Sequence, residues 1–124
     1  MPNKKGYLIN AENRTITLVE VGDYKTIYPL ISTKLKTVDC FTVVGIEEDD
    51  SIYVDDEGLL TIQFDTPFFL YDGYPQPLAG NGLVLGTDEE GESVDPKNTL
   101  EFIRGKVKFM TLLQAQVYAK RNNV

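Results

Sequence analysis

Apolar and polar positions along the chain fall into short runs of mostly β-type period. Tyr7 to Ile9 and Thr15 to Val21 are β-rich and flank the polar stretch Ala11-Glu12-Asn13-Arg14, which predicts an N-terminal hairpin. Tyr24, Ile27 and Ile31 recur at spacings of three and four behind Asp23, a capping residue. That pattern predicts a short helix, which Pro29 must kink or shorten to one turn. Phe41 to Ile46, Ser51 to Val54 and Leu59 to Phe64 are separated by two acidic turn sequences and predict a β-meander. In the third run Leu60, Ile62 and Phe64 share one side and Thr61 and Gln63 the other, as in a sheet with one buried and one wet face.

Thr66 to Tyr71 is a further apolar run. The prolines and glycines between Gly73 and Gly82 forbid a helix or a central strand, so this stretch is expected as an ordered loop or flap. Tyr74 and Leu78 could plug the core beneath it, or Tyr74 could serve recognition. Leu83 to Gly86 predicts a strand and Asp88-Glu89-Glu90-Gly91 the turn after it. Asp95-Pro96 opens a helix to Arg104, with Asn98 and Glu101 at capping-box spacing and Gly105 as its stop. Val107 to Met110 is a candidate strand, and Thr111 and Gln114 form a second capping box before a helix to about Arg121. On that helix Leu112, Ala115, Tyr118 and Ala119 share one face, and Leu113 and Val117 another. Two apolar stripes need two partners: the sheet, and either the 96–104 helix or a second copy of the protein. The expected architecture is α+β in one domain, residues 1–124, with an antiparallel or mixed sheet, short peripheral helices and a C-terminal helix.

Charge changes the picture most. The chain of 124 residues carries −7 overall, which opposes direct binding to nucleic acid or to an anionic membrane. All of the excess sits in the middle. From Glu47 to Asp95 there are fourteen acids and no Lys or Arg, and the remainder carries +7. The turn acids Glu47, Glu48, Asp49, Asp50, Asp55, Asp56 and Glu57, together with Tyr74, are the candidate partner-binding residues.

Candidate chemistry is thin. There is no histidine, and the single cysteine, Cys40, lies beside an apolar run where a buried, inert thiol is expected. No elbow or triad motif surrounds a nucleophile, and a catalytic carboxylate pair needs burial that turn acids lack. Asp55-Asp56-Glu57-Gly58 and Asp88-Glu89-Glu90-Gly91-Glu92 offer oxygen ligands but not the calcium-loop register. The glycines at 80, 82 and 86 lack the Lys-Ser/Thr ending and the following helix of a phosphate loop. No catalytic residue, metal or cofactor is expected. No eighteen-residue apolar run or secretory leader pattern occurs, so a cytoplasmic location is expected.

The stretch Ser51-Ile52-Tyr53-Val54-Asp55-Asp56-Glu57-Gly58-Leu59-Leu60, with Pro77-Leu78-Ala79-Gly80-Asn81-Gly82-Leu83-Val84-Leu85-Gly86 and Asp88-Glu89-Glu90-Gly91, resembles a family of small phage, prophage and plasmid proteins. That family is a domain of unknown function, so it lends no site residue. The resemblance implies a mobile-element accessory protein in a bacterial cytoplasm. The leading expectation is a non-catalytic acidic binding protein that inhibits a host defence protein by occupying its basic surface. One alternative is a sponge for a nucleotide signal, with Tyr74 stacking on the base and Arg104, Lys106 or Lys108 meeting phosphate. Another is a phage regulatory or structural protein. A homodimer through the C-terminal helix is a further expectation.

Overall fold

The structure is a computed structural model that describes residues 3–58 and 60–122. The N-terminal hairpin forms as expected, β1 (Lys4–Asn10) with β2 (Thr15–Val21), in register Lys4 with Val21 through Asn10 with Thr15. Asp23 then accepts from the Lys25 N–H at 3.0 Å and starts a 3₁₀ turn, Tyr24–Thr26, that runs into α1 (Ile27–Ile31). Pro29 is accommodated because α1 is so short that its missing N–H lies in the first turn, where no intrahelical partner exists.

β3 (Phe41–Gly45) and β4 (Asp50–Asp55) pair antiparallel. The expected third strand of the meander, 59–64, does not form. Leu59 lies outside the described residues; Leu60 and Phe64 are 84% and 88% exposed. Successive turns take its backbone instead, with Gly58 N–H donating to the Asp55 carbonyl at 3.2 Å and Leu60 N–H to the Glu57 carbonyl at 2.9 Å. The place beside β4 goes to β7 (Gly82–Thr87), which is buried from Gly82 to Gly86. An uninterrupted apolar run suits a strand covered on both faces, whereas Thr61 and Gln63 would have turned polar groups into one core.

Strand order in the large sheet is β2-β1-β7-β4-β3, with β8 (Ser93–Val94) on the edge of β7 that β1 leaves free. Both faces are covered, contrary to the expected wet face. On one side Val21, Leu83 and Leu85 pack with Ile27 and Ile31 of α1 and with Val38. On the other, Ile9, Ile16, Ile52, Val54 and Val84 meet a second sheet, β6-β5-β9, formed by β5 (Phe68–Tyr71), β6 (Leu78–Ala79) and β9 (Val107–Met110). That side also buries Ile103 of α2 (Leu100–Arg104). The outer face of the second sheet carries α3 (Leu112–Asn122), where Ala115 packs with Phe68, Ala79 and Met110. The chain is thus α+β with antiparallel sheets.

Three details differ from expectation. The 96–104 helix is only α2, and its cap is Thr99, whose side chain accepts from the Phe102 N–H at 3.1 Å; Asn98 is engaged elsewhere. Cys40 is exposed, not buried. The second α3 stripe does not pack under α2, since Leu113 is 70% and Val117 42% exposed. The capping box that starts α3 forms as read, Thr111 N–H to Gln114 Oε1 at 2.9 Å and Gln114 N–H to Thr111 Oγ1 at 3.2 Å.

Candidate functional site

Fourteen acids in one stretch of sequence are sorted in space by β4. The strand is interior, between β3 and β7, so the acids that flank it do not line a sheet edge. Glu47, Glu48 and Asp49 lie at its start; Asp56 and Glu57 lie past its other end, where Glu57 meets Lys36 at 3.4 Å. The seven turn acids therefore do not form one surface. What joins the first group is the β4–β7 register. Asp50 stands opposite Gly86, and the Thr87 N–H donates to the Asp49 carbonyl at 2.8 Å. The turn 88–92 is thereby placed next to 47–49. That turn is internally fixed, since Asp88 Oδ1 accepts from the N–H groups of Glu90 at 2.9 Å and Glu92 at 2.8 Å, with Gly91 at φ +84°. Asp95 joins the same end by accepting from the Lys5 N–H at 2.8 Å.

Beneath this acidic end sits Asp50 itself, only 1% exposed. One carboxylate oxygen accepts from the Lys97 N–H at 2.7 Å, and the other from the Asn98 N–H at 3.0 Å and Asn98 Nδ2 at 2.8 Å. Asp50 is therefore a structural tie to the 95–99 segment and is not available to a partner. Glu47 is half committed, accepting from the Tyr71 hydroxyl at 2.7 Å. Among the described residues the salt bridges are Lys36–Glu57, Arg104–Glu101 and Lys106–Asp72, so none involves the acids of this end.

The acids leave a mark on two tyrosines. Burial pushes the Tyr71 hydroxyl far above its ordinary value of 10.0, and the Glu47 hydrogen bond and the charges of Glu47, Asp50 and Asp72 push it further. Tyr7 is raised by burial and then by Asp50 and Asp95. In the unfolded chain both hydroxyls ionise near 10, while in the folded chain each ionises only at higher pH. Stability is thus complete below pH 10 and declines above it, for Tyr71 by about 1.4 kcal/mol per pH unit until its folded value is reached. Urea unfolding measured between neutral and strongly alkaline pH should show this decline, and Tyr71→Phe should make it shallower. An equally steep decline in the variant would remove Tyr71 as its source.

The remaining candidates separate. Tyr74 is half-buried against the core that contains Tyr71 and Leu78, and the expected 73–82 loop includes the two-residue edge strand β6, so this stretch closes over the core rather than presenting an aromatic. Arg104 donates through Nε and Nη2 to the Ile16 carbonyl at 3.2 and 2.8 Å and through Nη1 to Glu101 at 3.1 Å. Lys106 lies 3.7 Å from Asp72 and 5.3 Å from the Phe102 ring centroid. Arg104 and Lys106 are thus tied to groups of the protein itself. No group of three or more acids or cysteines with metal-holding geometry occurs among the described residues. No helix among them is long and apolar enough to cross a membrane. Sequence reasoning missed the Asp50–Asn98 tie and the Tyr71–Glu47 bond, because partners 48 and 24 positions apart leave no local pattern.

The chain is 32% identical over 97 residues to an uncharacterized protein, y4iR, of Sinorhizobium fredii, an alignment that covers 77% of this chain and 56% of that protein. The chain therefore spans little more than half the length of that relative. No family model matches it and no solved structure matches it. The resemblance to phage, prophage and plasmid proteins thus reduces to likeness to an uncharacterized bacterial protein.

Proposed function

We propose that this chain is a non-catalytic binding protein whose acidic end engages a basic surface on another protein. The observation that supports it is the convergence of turns 47–49 and 88–92, with Asp95, on one end of the large sheet, their acids outside the ion pairs of the described residues. The acids outnumber the lysines brought to the same end, Lys5 and Lys97, and such a net negative cluster raises encounter rates with a complementary surface and disfavours nucleic acid. In the form implied by the resemblance, the partner is a host defence protein in a bacterial cytoplasm, and occupying its basic cleft inhibits it. Nucleotide sequestration is the weaker alternative, since Tyr74 and Arg104 already have partners within the fold.

The test reverses charge without touching the structural acids. Glu48, Asp49, Glu89 and Glu90 are replaced together by Lys, leaving Asp50 and Glu47 in place. Association with the basic partner captured from host lysate should slow by roughly 10- to 100-fold at low salt, and raising salt should slow the wild type likewise. The melting temperature should barely move, because exposed charges contribute about 0 to 1 kcal/mol each. Rates unchanged by both treatments would discard the proposal.

A further inference from the structure

Exposed apolar side chains concentrate around α3. Leu60, Ile62 and Phe64 stand on the 60–65 loop, 84%, 39% and 88% exposed. Phe64 borders a concavity with Met110 and Leu112, at the first turn of α3. On the opposite flank of that turn lies a groove of about 430 Å³ formed by Met110, Leu113, Val117 and Tyr118, with Lys108 and Arg121 on its rim. The loop alternates apolar Leu60, Ile62 and Phe64 with Thr61 and Gln63 and ends on an acid, Asp65. The groove has Met110, Leu113, Val117 and Tyr118 as its apolar part and Lys108 and Arg121, with Gln114 and Asn122, as its polar part. Loop and groove are complementary in both respects, and no residue of the loop lines the groove of its own chain.

We propose that the occupant is a second copy of this chain, with the 60–65 loop of each protomer seated in the Lys108–Arg121 groove of the other. Phe64 and Leu113 flank the same turn of α3, so a two-fold axis beside that turn brings both loops to both grooves at once. Phe64 is the anchor, because a large ring that is nearly fully exposed gains most from burial. Asp65 meets Arg121 at the rim. The contact explains why a helix with a well-packed inner face keeps Leu113 and Val117 outside, and it leaves the acidic end of each protomer open.

Light scattering after size exclusion should give twice the 13.9 kDa chain mass. Phe64→Glu and Leu113→Glu should each return the mass to that of one chain with an unchanged far-ultraviolet circular dichroism spectrum. The milder Phe64→Ser and Val117→Ser do the same work if either charged variant fails to fold. Asp65→Arg and Arg121→Asp should each weaken the dimer, and the two combined should restore it. A single-chain mass for the wild type at the highest soluble concentration overturns the proposal, and so does a dimer that survives either Phe64→Ser or Val117→Ser. A double charge swap that restores nothing overturns it equally, and would leave the groove to an acidic peptide of some other protein.

Discussion

Replacing Asp50 with alanine should lower stability by about 3 kcal/mol, because it strips the charged acceptor from three donors at once and leaves two backbone N–H groups unpaired. For a chain of this length that is a fall of roughly 10 °C in melting temperature. The loss is not confined to the carboxylate. Asp50 holds the 95–99 segment against the start of β4, and Thr99 of that segment caps α2, whose Ile103 is completely buried. Two comparisons separate this from a generic core defect. Asn98→Ala removes a single side-chain donor and should cost about 1 kcal/mol. Asp50→Asn keeps the shape but turns a donor toward a donor, and should fall between the two. Thermal unfolding followed by circular dichroism decides the order; an Asp50→Ala protein that melts within a degree or two of the wild type contradicts the account.

Gly86→Ala should be the second severe change. A Cβ at position 86 would collide with the backbone carbonyl of Asp95, and β4 blocks retreat on the other side of the strand. Backbone cannot swing aside as a side-chain tip can, so β8 must detach, at a cost of about 2 kcal/mol. The effect should be local as well as global, with amide exchange at 93–98 accelerating more than in β1 or β4. Gly82→Ala meets Ile52 Cγ2 at 2.7 Å and Phe69 Cζ at 2.9 Å, a clash between the two sheets, and should also destabilise. Gly45→Ala, with nothing within 4 Å of the added carbon, should be close to neutral. If Gly86→Ala behaves like Gly45→Ala, the close passage of Asp95 is not a constraint.

Local patterns survived translation into structure wherever both partners are near in sequence. The first hairpin, the Asp23 turn, the Asp88 turn and the Thr111–Gln114 box each depend on residues fewer than twenty positions apart, and each formed. Competition between distant segments is what the pattern could not resolve. Leu59 to Phe64 alternates well enough for a strand, but it loses to Leu83–Gly86, which is apolar on both sides. Asn98 and Glu101 have capping-box spacing, yet Asp50 takes Asn98 and Thr99 becomes the cap. The acidic site shows the same limit. Contiguity from 47 to 57 implied one surface, whereas β4 divides those acids and the β4–β7 ladder unites half of them with 88–92.

The position of β7 has a consequence for how the chain can be made. The strand that joins both halves of the large sheet is residues 82–87, so until it leaves the ribosome β1 and the β3–β4 hairpin have no common partner. Each then presents an unpaired strand edge, a template for pairing with other nascent chains. Such long-range closure also slows folding relative to helical chains of this size. Truncations that stop before residue 82 should therefore accumulate as aggregates, while those that retain β7 and lose only α3 keep the sheet closed.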